Sequence, residues 1–183
     1  MASRSSSRGD VSLANCRKTR QSSNRSKHRA DAKRRPLACY TPSMHFTLYA
    51  DGGSRGNPGP AGAGAVVFDQ GGKRVVEVAD FLGVATNNIA EYEAVLRGLV
   101  ALKDAYPEGF FMHATVTVKM DSKLVIEQMK GAYRVKHPNL IPRHLEIKNL
   151  IARYFSTVEF VHVPRAQNAD ADALANKAMD AGR

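Results

Sequence analysis

Five stretches of this chain have the composition of β-strands, and in the first and fourth of them apolar and polar residues alternate, which is the pattern of a strand with one buried face. In the first stretch Phe46, Leu48 and Ala50 fall on one side, and polar or larger residues lie between them. The predicted strands are residues 45–50, 62–68, 74–83, 113–120 and 158–163. A glycine-containing turn at 69–72 joins the second strand to the third, so the first three strands are expected to form an antiparallel meander.

Apolar residues recur at spacings of three and four between residues 88 and 105, which predicts an amphipathic helix ending before Pro107. A short helix is expected after Asp121 and Ser122, with Ser122 as a plausible cap, and it stops at Gly131. The two remaining predicted helices are residues 145–154 and Ala169–Ala181. The order βββαβααβα predicts an α/β fold, a five-stranded mixed sheet flanked by helices that return the later strands to run parallel.

Residues 51–62 contain five glycines and two prolines, a composition that breaks helices and strands. They are expected to form a tight loop whose backbone can approach a ligand closely. Asp51 would then lie where the first strand ends. An aspartate at a strand end is as typical of a simple turn as of a functional site, so this stretch alone leaves both interpretations open.

The composition is that of a globular protein, with 43% hydrophobic and 24% charged residues in 183. No run approaches the roughly 18 consecutive apolar residues of a membrane span. The two cysteines, Cys16 and Cys39, both precede the first strand, so neither a disulfide framework nor a cysteine-rich zinc site is expected. A monomer in a reducing compartment, the cytoplasm, is the expectation.

The net charge of +10 is concentrated at the start of the chain. Residues 1–44 hold eleven Lys or Arg and two Asp, a net charge of +9, so the remainder carries +1. This segment is also rich in serine, and we expect a disordered extension at 1–44 before a domain at 45–183. The extension could bind nucleic-acid phosphates, could be an organelle transit peptide, or could be absent if translation starts at Met44.

Four acidic residues fall at the predicted ends of strands or starts of helices. Asp51 and Asp121 end the first and fourth strands, while Glu91 and Asp172 lie in the first turns of two helices. Crevices at strand ends are where open α/β sheets bind ligands, and four carboxylates meeting there would repel one another without a cation. Oxygen ligands suit Mg²⁺ or Mn²⁺ better than zinc. Taken singly, Glu91 and Asp172 are more typical of helix-dipole compensation, and Asp51 is as typical of a turn, but the four acids together favour a metal site.

Four motifs in order resemble those of the type 1 ribonucleases H. They are Asp-Gly-Gly-Ser-Arg-Gly-Asn-Pro-Gly-Pro-Ala-Gly at 51–62, Thr-Asn-Asn-Ile-Ala-Glu at 86–91, Met-Asp-Ser at 120–122 and Asn-Ala-Asp-Ala-Asp-Ala-Leu-Ala at 168–175. The resemblance covers residues 46 to about 181. It implies a ribonuclease H-like fold and an endonuclease that hydrolyses the RNA strand of RNA–DNA hybrids, giving 5′-phosphate and 3′-hydroxyl ends.

The resemblance also implies roles for individual residues. Asp51, Glu91, Asp121 and Asp172 would be the catalytic carboxylates and would hold two Mg²⁺ ions, with Mn²⁺ as a substitute. Asp51 would be the shared ligand, Glu91 would lie nearer the leaving group, and Asp172 would lie on the side of the attacking water. The implied substrate-binding residues are Gly52, Asn57, Asn87, Asn88, Ser122, Arg165 and Asn168.

The asparagine side chains suit a hybrid because an amide can both donate to and accept from a 2′-hydroxyl, the group that marks RNA. A turn-forming role for Asn57 and for the Asn87–Asn88 pair is the alternative. A catalytically quiet hybrid-binding module, and a resolvase or exonuclease of the same superfamily, remain alternative functions.

The chain departs from the family pattern in two places. Between residues 131 and 142 the basic helix and loop of some relatives are reduced to a short basic stretch. The loop before the last helix lacks the family histidine, since His162 is predicted to belong to the fifth strand, and Arg165 is the candidate group near the scissile phosphate. The other histidines, His45, His113, His137 and His144, are expected to be structural or solvated.

Overall fold

The structure is a computed structural model that describes residues 44–182. The prediction of a disordered basic extension concerns residues almost entirely outside this range, and it stays a prediction. None of the helices within the described range is long and apolar enough to cross a membrane.

Five strands form one mixed sheet in the order β3-β2-β1-β4-β5. The strands are β1 Met44–Ser54, β2 Gly59–Phe68, β3 Arg74–Ala85, β4 Ala114–Met120 and β5 Thr157–His162. The first three pair antiparallel as a meander, and β1 pairs parallel with β4, which pairs parallel with β5. The predicted sheet and its parallel later strands are therefore confirmed.

Four α-helices flank the sheet in the predicted order. They are α1 Asn87–Asp104, α2 Lys123–Lys130, α3 Ile141–Tyr154 and α4 Ala169–Ala181. Short 3-10 helices at Phe110–His113 and Arg165–Gln167 precede β4 and α4. Thr86 caps α1, because its side chain accepts a hydrogen bond from the backbone N–H of Ile89, and the helix begins one residue earlier than predicted.

The hydrophobic core lies between α1 and the face of the sheet that α1 covers. The alternation predicted for β1 is confirmed, since Phe46, Leu48 and Ala50 are fully buried. Tyr92 and Leu99 of α1 belong to the same buried cluster. Burial of large side chains at this spacing is the main favourable contribution to folding, at about 25 cal/mol for each Å² of apolar surface removed from water.

The glycine-rich stretch is mostly strand, and the prediction of a tight loop over 51–62 is wrong. β1 continues to Ser54, β2 starts at Gly59, and the turn is confined to residues 55–58. Asp51 therefore lies inside β1, paired with Gly64 of β2, and not at the end of the strand. The parallel pairing of β1 with β4 nevertheless stops at Tyr49, so Asp51 lies just beyond it.

Close packing of helices against the sheet explains why these strand positions are glycines. A Cβ atom at Gly62 would lie 2.5 Å from the carbonyl oxygen of Ala175 in α4, and one at Gly64 would collide with the same helix. On the other face, a Cβ at Gly52 would collide with the backbone of Ala90 in α1. Glycine in these strands marks close backbone approach, which brings α1 and α4 directly against the sheet.

Candidate active site

A polar cleft of about 290 Å³ is lined by residues from β1, α1, α4 and the segments that follow β4 and β5. All four acidic residues singled out from the sequence line this cleft: Asp51, Glu91, Asp121 and Asp172. Of the predicted substrate-binding residues, Gly52, Asn87, Ser122 and Arg165 line it as well.

The sheet and two helices bring the carboxylates together. Asp51 and Asp121 follow the last paired residues of the neighbouring parallel strands β1 and β4. Asp172 lies in the first turn of α4, as predicted. Glu91 lies just past the first turn of α1 and not within it, because the helix already begins at Asn87. The absence of a side chain at Gly52 lets α1 lie against β1 at this point.

Asp51 is the carboxylate most affected by its surroundings. Burial raises its pKa to about 7, and the negative charges of Asp121, Asp172 and Glu91 act in the same direction. The positive charge of Arg165 partly offsets them. The four acids therefore share one electrostatic environment, in which the charged form of Asp51 is disfavoured.

Glu91 is held by hydrogen bonds to both of its carboxylate oxygens. Ser122 Oγ donates to Oε2 at 2.6 Å, and Asn87 Nδ2 donates to Oε1 at 3.1 Å. Burial raises the pKa of Glu91, and the two hydrogen bonds oppose that rise. Ser122 occupies the N-cap position of α2, but its side chain makes no capping hydrogen bond, so the predicted capping role is wrong for the side chain.

Asn168 connects the first and fourth strands. Its side chain is 1% exposed, and Nδ2 donates to the carbonyl oxygen of Ala50 at 3.0 Å and to Asp121 Oδ1 at 3.2 Å. Burial leaves no surface of Asn168 for a substrate, so the expectation of a direct contact is corrected to a contact that positions Asp121. The residue was recognised by its motif, but burial depends on distant neighbours that local sequence does not reveal.

Asp172 is held by two donors from α4 and the segment before it. Arg165 Nη2 donates to Oδ1 at 2.5 Å, and Asn176 Nδ2 donates to Oδ2 at 3.0 Å. Sequence reasoning placed Arg165 near the scissile phosphate but missed Asn176. The signal available was its position four residues after Asp172, on the same face of the helix.

Asn57 and Asn88 are exposed and do not line the cleft. Asn57 Oδ1 accepts a hydrogen bond from the backbone N–H of Asn87 at 3.3 Å, which links the turn after β1 to the start of α1. His162 belongs to β5, as predicted, and is its last residue, with Nε2 3.2 Å from the carbonyl oxygen of Asp121.

The oxygen atoms that line the cleft fit a divalent cation that prefers oxygen ligands. All four candidate ligands are carboxylates, and the pKa of Asp51 is raised first by burial and then by the neighbouring negative charges, which a cation would offset. Within residues 44–182, however, no three acidic, histidine or cysteine side chains are already gathered as a metal site. Three of the four carboxylates instead accept hydrogen bonds from Ser122, Asn168 and Arg165, so metal ligation requires side-chain movements.

Comparison with known proteins identifies the family. A sequence model described as reverse transcriptase-like matches residues 49–178. LC11-RNase H1, isolated from compost and solved in complex with an RNA/DNA hybrid, is 41% identical with a TM-score of 0.69, over 75% of this chain and 98% of that one. The chain belongs to the type 1 ribonuclease H family.

Two sequence relatives are longer than the region that they share with this chain. The bifunctional protein Rv2228c of Mycobacterium tuberculosis is 49% identical over 140 residues, covering 75% of this chain and 36% of that protein. Ribonuclease HI of Halobacterium salinarum is 42% identical over 132 residues, covering 72% of this chain and 63% of that protein. The chain thus spans about a third of the mycobacterial protein's length.

Proposed function

We propose that this ribonuclease H domain is an endonuclease that hydrolyses the RNA strand of RNA–DNA hybrids and leaves 5′-phosphate and 3′-hydroxyl ends. The observation that carries the proposal is the meeting of Asp51, Glu91, Asp121 and Asp172 in one cleft, although they are remote along the chain. The hybrid complex of LC11-RNase H1, a relative of 41% identity, supports the choice of substrate.

The four carboxylates are the residues that would hold metal ions. When bound, two Mg²⁺ ions, or Mn²⁺ as a substitute, would supply positive charge to activate a water and to stabilise the leaving 3′ oxygen. We assign Asp51 as the shared ligand, Glu91 to the leaving-group side and Asp172 to the side of the attacking water. The central place of Asp51 among three other negative charges supports its assignment.

The remaining residues of the cleft orient these carboxylates and the substrate. Ser122 and Asn87 fix both oxygens of Glu91, and Asn168 fixes Asp121 beside β1. Arg165 supplies an exposed positive charge for a backbone phosphate.

Asn57 and Asn88 offer amide groups to the RNA strand. Both side chains are exposed, and the Asn57 side chain is tied to the start of α1, close in the chain to Glu91. An amide donor and acceptor at this position suits a 2′-hydroxyl, the group that distinguishes RNA from DNA.

We expect the protein to act as a monomer in the cytoplasm, or in an organelle if residues 1–44 are a transit peptide. If the basic extension is retained, it would add affinity for nucleic-acid phosphates without sequence preference. Mass spectrometry of the native N-terminus tests this, since a mature chain starting near residue 44 excludes a role for the extension.

Cleavage of matched RNA–DNA, RNA–RNA and DNA–DNA duplexes, with Mg²⁺, with Mn²⁺ and with a chelator, tests the proposed function. Only the RNA strand of the hybrid should be cut, only with a metal, and its new ends should carry a 5′-phosphate. Asp51→Asn and Asp121→Asn should keep the fold and abolish cleavage. Metal-dependent activity retained in either variant would refute the carboxylate assignment, and hybrid binding without cleavage by the unaltered protein would indicate a binding module.

A further inference from the structure

Asn176 lies one helical turn after Asp172 and also lines the cleft. Its Nδ2 atom donates to Asp172 Oδ2 at 3.0 Å and to the backbone carbonyl oxygen of Asp172 at 2.9 Å. The second contact anchors the amide to the helix that carries Asp172, so the first contact restricts how the carboxylate can turn. Residues four apart on a helix are neighbours, which makes this a local and persistent pair.

The second donor to Asp172 has a different character. Arg165 comes from the 3-10 helix before α4, and its side chain is 77% exposed, against 28% for Asp172. A guanidinium is a cation, so its contact with Oδ1 competes with any metal ion for the same negative charge. The amide of Asn176 is neutral and can keep its hydrogen bond when a cation approaches the carboxylate.

We propose that Asn176 is a positioning residue for Asp172. It holds Oδ2 and so keeps the carboxylate oriented toward the cleft, while the Arg165 contact is the one that a divalent cation replaces. This inference rests on the proposed metal-dependent function, because it describes how one of the proposed ligands is presented.

The two donors should therefore have opposite effects on metal binding when removed. In the full chain, Asn176→Ala should weaken Mg²⁺ binding about tenfold, the lower end of what is typical when a hydrogen-bond partner of a metal ligand is lost. Arg165→Ala should leave Mg²⁺ binding unchanged or make it tighter by a few fold. Lys177→Ala, an exposed neighbour on the same helix, is the matched control and should bind Mg²⁺ as the unaltered protein does.

Isothermal titration with Mg²⁺, and the Mg²⁺-induced shift of the thermal unfolding midpoint, measure binding without using activity. Alanine is a better helix former than asparagine, so Asn176→Ala should unfold at or above the unaltered temperature in chelator. Activity measured against Mg²⁺ concentration should show a higher half-saturating concentration with a nearly unchanged maximal rate.

A double-mutant cycle makes the test specific to Asp172. In an Asp172→Ala background, Asn176→Ala should cause no further loss of Mg²⁺ affinity. Equal Mg²⁺ affinity of Asn176→Ala and the unaltered protein, or an equal loss in the Asp172→Ala background, would overturn the inference while leaving the proposed function intact. Failure of the unaltered protein to bind Mg²⁺ would overturn both.

Discussion

Glu91 and Asp172 line the same cleft, but the residues that hold them differ in charge and exposure. Glu91 receives hydrogen bonds from the neutral side chains of Ser122 and Asn87, in a largely buried position. Asp172 is paired with the exposed guanidinium of Arg165, and its other oxygen is held by Asn176. Neutral donors orient a carboxylate without cancelling its charge, whereas the cation of Arg165 cancels part of it.

This difference indicates that the Glu91 side and the Asp172 side of the cleft differ in how firmly their carboxylates are held before a ligand binds. The Glu91 side is oriented before any ligand arrives, because both of its carboxylate oxygens already accept hydrogen bonds from neutral donors. The Asp172 side can adjust, because an exposed ion pair is weak in water and is exchanged at small cost. Substitutions on the two sides should therefore differ in size and in their dependence on metal concentration.

Among the substitutions that compare the two sides of the cleft, loss of the Glu91 charge is expected to have the largest effect. Glu91→Gln should lower kcat/KM by about 10³-fold, the equivalent of several kcal/mol of lost transition-state stabilisation. Asp172→Asn should cost less, about 10²-fold, because the more exposed site leaves room for water to replace the lost ligand. Steady-state kinetics on a hybrid substrate measure both, and a larger loss in Asp172→Asn would reverse the comparison.

The second prediction concerns the packing that places Glu91. Gly52→Ala should lower the free energy of unfolding by about 2 kcal/mol and reduce activity as well, because the new methyl group collides with the α1 backbone at Ala90. Gly53→Ala is the control, since its Cβ would meet only the flexible side chain of Met179, at 3.3 Å. Denaturant unfolding and cleavage assays on both variants test this prediction. If Gly52→Ala were as stable as Gly53→Ala, α1 could move away from the added methyl group at no cost.

The third prediction follows from the pKa of Asp51, which is raised from 3.8 to about 7. In the unfolded chain the Asp51 carboxyl group loses its proton at about pH 4, whereas in the folded protein it loses it only at about pH 7. Between these values a rising pH therefore favours the unfolded state and lowers the free energy of unfolding. In chelator, Asp51→Asn should therefore be more stable than the unaltered protein by about 2 kcal/mol near pH 8, the full shift being reduced by partial solvent screening. The difference should vanish near pH 4.

Added Mg²⁺ provides the control for the third prediction. It should raise the thermal midpoint of the unaltered protein near pH 8 and leave Asp51→Asn nearly unchanged, since a ligand stabilises the state that binds it. A stability difference that does not vary with pH would show that the Asp51 carboxyl is not the cause.

The smallest expected effect belongs to Ser122. Ser122→Ala should weaken the apparent Mg²⁺ affinity about tenfold, because one oxygen of Glu91 loses its donor. Stability should change by less than about 0.5 kcal/mol, since the side chain makes no cap hydrogen bond to α2. A Mg²⁺ titration of activity measures the role of Ser122 in holding Glu91, and a thermal melt measures any role in capping α2. Lys123→Ala, at the exposed neighbouring position, is the control. A large loss of stability would restore the capping interpretation.

Much of this organisation could be predicted from the sequence, because it depends on local periodicity. The order of the elements, the buried side of β1 and the position of α4 all follow from such patterns. The meeting of the four acids was predicted by taking the first and fourth strands as neighbours, which is confirmed, although Asp51 lies inside β1 and Glu91 just past the first turn of α1. The order of the elements and the burial pattern of β1 depend only on residues that are close in the chain.

The errors concern contacts between residues far apart in the chain. The glycines of 51–62 were interpreted as breakers, whereas in the fold Gly52 and Gly62 remove side chains where α1 and α4 meet the sheet. Ser122 was expected to cap α2, but its side chain instead donates to Glu91 from another helix. Asn168 was expected to contact substrate, and it is buried by packing that no local pattern contains.

The position of α4 has a consequence for the protein during its synthesis. Asp172 enters the cleft only when α4 has packed against the glycines of β2, and those contacts join residues more than a hundred positions apart. A chain that lacks α4 carries Asp51, Glu91 and Asp121 but leaves the α4-facing side of its sheet uncovered. The acidic set is therefore completed only after α4 has been synthesised and has packed against the sheet.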